Sequence, residues 1–210
     1  MIYDANNWIG GAKSIYFMIM LVFCLPHYLF YLCSKSRQII KLDVDRWTTC
    51  VSRSKYSNFI DLLYLLVFVK EFRNVFYLRI GPRSLMLRYI PPLSSLYIAT
   101  KNENFGAGTF IQHGFSTVIA AESVGKNCWI NQQVTIGYNN SNKYGYGKPI
   151  IGDNVRVSAG AKVCGKITVG DNSTIGVNAV VVKDVPSNSV VIPSPTMMIV
   201  DNNEKTYKRL

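Results

Sequence analysis

A mainly β architecture, a parallel β-helix of six-residue repeats entered from an α-helical N-terminal region, is what this 210-residue sequence predicts. Three observations lead there. A bulky apolar residue recurs every six positions from Phe105 onward, residues 1–100 lack that period, and the apolar runs of that first half are long enough for helices. With 49% hydrophobic and 17% charged residues, the chain can bury a core and is not globally disordered.

Taken in order, residues 15–33 form a stretch without formal charge. At about 1.5 Å per residue, a helix of that length crosses most of a hydrocarbon core of about 30 Å. Lys13 precedes it and Lys35, Arg37 and Lys41 follow, so a span would leave the downstream half in the cytoplasm. The competing expectation is a pair of core helices, because Pro26 and His27 interrupt the run. Residues 59–69 contain Asp61 and are too short to span; they predict a buried helix that continues into 70–73 and ends before Gly81-Pro82. Pro91-Pro92 starts an extended entry into the repeats. The expected division is a helical region, 1–100, with a candidate membrane-associated segment at 15–33, then the coil, 101–196, and a C-terminal tail, 197–210.

The hexads open at Phe105, Ile111, Val118, Val124, Ile130 and Ile136, then at Ile151, Val157, Val163, Val169, Ile175 and Val181. A period of six fits neither a 3.6-residue helix nor simple strand alternation. It marks one side of a triangular coil, a short strand and a turn, with three sides to each stacked layer. The phase breaks twice. One extra residue falls between Ile111 and Val118, beside His113, and fifteen positions separate Ile136 from Ile151. Residues 137–150 therefore loop out, and their turn-rich, polar composition suits a functional excursion on a rigid scaffold.

The formal charge is +11, of which residues 1–100 carry twelve basic against five acidic groups, and 101–210 eleven against seven. Such a field favours an anionic surface or cofactor; nucleic acid is not expected, because the basic residues form no stripe and no recognition motif accompanies them. Cys24, Cys33, Cys50, Cys128 and Cys164 are odd in number, scattered and without a histidine cluster. They predict buried, reduced thiols in a compartment such as the cytoplasm, with neither disulfide framework nor metal site.

The strings Gln132-Gln133-Val134-Thr135-Ile136-Gly137, Ile151-Gly152-Asp153-Asn154-Val155 leading to Ala159-Gly160-Ala161-Lys162-Val163, and Val181-Val182-Lys183-Asp184-Val185-Pro186 carry a family resemblance. Segment 105–193 resembles the left-handed parallel β-helix of the hexapeptide-repeat acyltransferases, in particular the serine O-acetyltransferase branch and its relatives that acetylate sugars of surface polysaccharides. Glu71-Phe72-Arg73-Asn74 through Arg79-Ile80-Gly81 resembles the helical region before the coil in that branch. Left-handedness is implied by the resemblance, not by the period.

The resemblance further implies a homotrimer that moves acetyl from acetyl-CoA directly to a hydroxyl, without a metal. His113 matches the family's general base. Gly137, Ser158, Ala159 and Gly160 match positions along the cofactor's pantetheine arm, and Lys183 matches a lysine that meets its phosphate. Two departures bear on the acceptor. Ile98 stands where the branch has an Asp that orients the base, and Lys148 stands where it has a second histidine. Lys148 suits a substrate carboxylate, and Glu122 is a candidate carboxylate for the same site. After Pro186, Ile192-Pro193-Ser194-Pro195 replaces the usual Gly-Val-Pro-Ala string. Either L-serine or a sugar hydroxyl is the acceptor, in the cytoplasm or at the inner membrane face. The rival from another class is a non-enzymatic β-helix scaffold of a polysaccharide pathway, anchored through 15–33.

Overall fold

A computed structural model describes residues 11–51, 57–139, 146–193, 196–201 and 204–209. Four helices, α1 (Gly11–Leu32), α2 (Arg37–Cys50), α3 (Asn58–Phe68) and α4 (Lys70–Ile80), lead through a 3-10 helix (Gly81–Leu87) into the coil.

α1 runs unbroken through Pro26 rather than as two core helices. Proline removes one intrahelical donor. At this turn the Phe23 carbonyl accepts from the Tyr89 hydroxyl at 2.6 Å, a support from outside the helix. Phe17, Cys24, His27 and Tyr31 form the buried face, with Phe17 stacked on Phe68 at 5.7 Å. The second apolar run is two helices, not one: Val69 is extended (φ −117°, ψ 97°) between α3 and α4. α3 starts on Ser57, whose side chain accepts from the Ile60 amide. α4 stops at Gly81, whose φ of +74° suits glycine, with Pro82 following as the sequence predicts.

The coil is a triangular prism of parallel strands. One face holds β1 (Leu96–Ile98), β3 (Thr117–Ile119), β6 (Thr135–Gly137), β9 (Lys162–Cys164) and β12 (Val180–Val181). A second holds β2 (Phe110–Ile111), β5 (Trp129–Ile130), β8 (Arg156–Val157), β11 (Thr174–Ile175) and β13 (Val190–Val191), and a third β4 (Ser123–Val124), β7 (Ile150–Ile151) and β10 (Thr168–Val169). Ile151 pairs with Val169 and Val163 with Val181, eighteen residues apart, so each layer is three sides of six. Ile130, Ile136, Val157, Val163, Val169 and Ile175 are fully buried.

The register differs from expectation at one opener. Val118 is 36% exposed and Ile119 is fully buried. Two extra residues, not one, thus separate the inward Ile111 from the inward Ile119, and the side leading to Val124 is one short. Adjacent β-branched residues look alike to a periodicity argument, and pairing of Ile119 with Ile136 decides between them. Ile136 pairs with Val163, twenty-seven residues on, which is one layer plus an insertion of nine. An antiparallel bridge between Asn139 and Gly147 closes that insertion.

At the edge between the third and second faces the layers approach closely. A Cβ on Gly125 would lie 2.3 Å from the Gly152 carbonyl oxygen, so only glycine fits there. The carboxylates of Asp153 and Asp171 accept from the amides of Lys126 and Asp153, each at 2.7 Å, and tie successive layers together.

Helices α2 and α4 close the N-terminal end of the prism, so the two halves share one core. Trp47 packs edge-on against Phe110 at 4.7 Å and donates Nε1–H to the Thr109 carbonyl at 2.9 Å. The expected tail instead carries an antiparallel hairpin, β14 (Thr196–Asp201) with β15 (Glu204–Arg209). All five cysteines are free; Cys24 and Cys128 are buried, but Cys33 is exposed, against the expectation that all are buried. Burial pushes the Cys128 thiol up to about 12.

Candidate active site

His113 sits in the turn between β2 and β3, where the two extra residues bend the chain. Its φ is +53° and that of Ser116 is +52°. Five of the eight described non-glycine residues with positive φ are asparagines, at ordinary corners; the exceptions, His113, Ser116 and Gln133, share one edge of the prism. Left-handed backbone at such residues costs of order 1–2 kcal/mol each and clusters where function imposes it. The turn is anchored on both sides. Gln112 N–H donates to the Ile130 carbonyl, and the Gln112 Oε1 accepts from Trp129 Nε1 and Asn131 Nδ2 at 3.2 and 3.0 Å.

Below His113 the same edge continues layer by layer. Gln133 N–H donates to the Phe115 carbonyl, and Gly160 N–H to that of Gln132, both at 3.0 Å. Ser158, Ala159 and Gly160 therefore lie in one column with His113. The Gln132 Oε1 is buried there without a hydrogen-bond partner among the described residues. It is an unsatisfied buried acceptor on the edge that carries His113.

The remaining expected residues occupy the opposite edge of the same face. Glu122 follows β3, Lys148 precedes β7, and Lys183 follows β12. Glu122 N–H donates to the Pro149 carbonyl, which stacks Glu122 above the returning loop beside Lys148. Gly137 ends β6, opposite Cys164, whose thiol is pushed up by burial. The face between the edges is about four residues wide, or roughly 13 Å. Within one chain Glu122 is thus across the face from His113 and does not orient it. Lys148 and Lys183 are exposed.

Two carboxyl-related findings correct the sequence reading. Ile98 pairs with Ile119 at the far end of β1, while Leu96 is the residue of that strand beside the histidine turn. The acidic residue whose side chain packs at the turn is Glu71 of α4, 8% exposed. A Cβ on Gly114 would lie 3.2 Å from its Cγ and 3.1 Å from Leu96 Cδ2, so glycine after the histidine makes room for it. Asn74, one turn along α4, fixes that helix face by donating to the Leu93 and Leu96 carbonyls and accepting from Leu93 N–H. Glu71 was visible only as part of a helical motif. Nothing local links it to His113, forty-two residues away.

A Cβ on Gly137 would have only Thr135 Cγ2, at 3.9 Å, within 4 Å, so the glycine leaves open space at the strand end. Among the described residues no three His, Cys, Asp or Glu side chains gather as metal ligands.

Prism and layer spacing define a parallel β-helix built from six-residue sides. Residues 148–183 match the family model for the bacterial transferase hexapeptide (six repeats). The chain is 40% identical over 106 residues to a serine acetyltransferase of Bacillus subtilis, covering 50% of this chain and 48% of that one. It is 43% identical over 95 residues to one of Synechococcus elongatus, covering 45% and 38%. Among solved structures, serine acetyltransferase of Brucella abortus superposes with a TM-score of 0.54 at 27% identity, covering 75% of this chain and 66% of that one. That of Neisseria gonorrhoeae, solved with serine, gives 0.60 at 24%, covering 81% and 72%. The chain spans about half the length of the curated relatives it matches. The coil thus has the left-handed parallel β-helix fold, and in sequence it is similar to the serine acetyltransferases over about half of the chain.

Proposed function

We propose that this chain is an acetyl-CoA-dependent O-acetyltransferase with His113 as general base and L-serine as acceptor. The observation that carries the reading is His113 itself, a left-handed turn histidine above Ser158, Ala159 and Gly160 within the coil that is similar to serine acetyltransferases.

The chemistry asks little else of the protein. A neutral hydroxyl is a poor nucleophile, and imidazole, with a pKa near 6.5, takes its proton as the oxygen attacks the thioester carbonyl. Backbone amides stabilise the oxyanion. The tetrahedral species then collapses, the C–S bond breaks, and the imidazolium returns the proton to the departing thiolate, giving the acetyl ester and free CoA. Glu71 acts as the positioning carboxylate in place of the absent Asp at 98. Gly137 and the 158–160 column flank the pantetheine arm, and Lys183 meets a phosphate of the cofactor. With one edge holding His113 and the other holding Gly137, Glu122, Lys148 and Lys183, a complete site needs the second edge of a neighbouring copy, which supports a homotrimer.

A sugar hydroxyl of a surface-polysaccharide precursor is the second reading. It is favoured by Lys148, which stands where the serine branch has a second histidine. Thiol release from acetyl-CoA, measured with L-serine and with a panel of hexoses and sialic acids, separates them. Activity with serine supports the first and activity only with sugars the second; no release with either returns the chain to a non-enzymatic scaffold. His113→Ala should lower kcat/KM by at least about 100-fold, and near-full activity would remove His113 from the mechanism.

A further inference from the structure

The helical region shows a face that acetyl transfer does not use. α1 presents Ile15, Met18, Ile19, Val22, Leu25 and Leu29 along one stripe, at the i, i+3, i+4, i+7 spacing, each 48–66% exposed. No charge interrupts residues 14–34. The patch continues beyond α1: Tyr89 bonds to the Phe23 carbonyl, and Leu85 and Met86 of the adjoining 3-10 helix are 67% and 73% exposed. Monomeric soluble proteins rarely leave so contiguous an apolar surface uncovered.

The charge around the patch selects its occupant. Lys35 and Arg83 line a cavity of about 580 Å³ at the C-terminal end of the stripe, together with Leu29, Phe30, Cys33 and Pro82. Arg37 and Arg88 are exposed nearby in sequence, and none of these four cations forms an ion pair among the described residues. The acids of the same region are withdrawn: Asp43, Asp61 and Glu71 are buried and Asp45 is half-buried. An apolar stripe rimmed by exposed cations matches an anionic lipid surface. A second copy would bring two cationic rims face to face.

We propose that α1 and the Leu85-Met86 corner seat the protein in the interface of an anionic membrane, lying in its plane. A spanning α1 would have to leave the protein, yet its other face is committed to it. Phe17 stacks on Phe68, the Tyr31 hydroxyl oxygen accepts from Asn58 Nδ2 at 2.7 Å, and His27 is buried against Tyr77 and the Leu87 carbonyl. This inference is independent of the acetyl-transfer reading, since it concerns where the protein sits and not what it does there.

Flotation of the full chain with phosphatidylcholine vesicles, with and without 30% phosphatidylglycerol, tests it. Binding should require the anionic lipid and weaken with salt. Val22→Glu with Leu29→Glu should lower partition by at least about tenfold, and Arg83→Glu with Arg88→Glu should do so for the anionic vesicles alone; unchanged far-UV circular dichroism and an unchanged urea midpoint certify that the variants fold. A tag at Met1 should remain open to protease in sealed vesicles, on the same side as the coil. Equal, negligible binding to both vesicles overturns the proposal, as does a protected tag, which means a span. Self-association abolished by the glutamates without lipid binding overturns it in favour of a protein interface.

Discussion

Replacing Arg79 by Met should destabilise the protein by about 4 kcal/mol. Its guanidinium is fully buried and makes five hydrogen bonds, to Asp43 Oδ2 (2.9 Å), Asn102 O and Oδ1, Phe105 O (2.6 Å) and Gly106 O. Asp43, also buried, uses its other oxygen to accept from Gly108 N–H at 2.7 Å. The pair thus pins α2 and α4 to the first layer of the coil. Methionine fills the volume of the aliphatic stem but strands a buried carboxylate, and breaking a buried pair from one side costs about 3–5 kcal/mol. For a chain of this size that is a fall in Tm of roughly 8–16 °C. Urea unfolding followed by tryptophan fluorescence reads it out, because Trp47 lies on the same junction. Asp43→Asn alone should cost about 2–3 kcal/mol, and the double variant clearly less than the sum, since it leaves no buried charge unpaired. If Arg79→Met costs under about 1 kcal/mol, or the two changes add, the helices are not locked to the coil through this pair.

Other outcomes are equally direct. Burial lowers the His27 pKa from 6.5 to about 4, so its neutral form stabilises the fold fully above pH 6.5, and that contribution is lost as pH falls from 6.5 toward 4. Between pH 7.5 and 5 the wild type should lose about 2 kcal/mol more than His27→Gln, and parallel profiles would contradict this. Gly160→Ala combines a φ of +72° with a Cβ 2.0 Å from Asn178 Oδ1, so it should cost about 1–3 kcal/mol, partly recovered by Asn178→Gly in the same chain. Under the proposed mechanism, Glu71→Gln should shift the acidic limb of the kcat/KM profile without changing acetyl-CoA affinity; an unshifted profile would separate Glu71 from His113. Lys183→Ala should raise KM for acetyl-CoA severalfold at unchanged kcat, and an unaltered KM would place that lysine outside the cofactor path.

The coil was legible because its signal is local and repeated: each layer buries the same kind of residue at the same offset, as at Ile151 and Val169 and again at Val163 and Val181. Where two β-branched residues adjoin, as at Val118 and Ile119, only pairing to the next layer settles which turns inward. His113 could be singled out from its neighbours in sequence, but Glu71 could not, since packing of α4 on the first layer brings it there. The apolar run at 15–33 posed a choice between membrane span and core that the structure divides by side. An uncharged helix carries no sequence signal for which face the rest of the protein will cover.

The nine-residue insertion after β6 leaves the ladder intact on both sides of it, with Ile119 on Ile136, Ile136 on Val163, and Val124 on Ile151. The coil therefore neither gains nor loses a hydrogen bond with the number of residues in the excursion, and loop-closure entropy grows only slowly with length. Nothing in the prism counts those residues. Under the proposed mechanism the insertion joins the coil at the edge where the acceptor binds, so its sequence and length can change while the same scaffold folds.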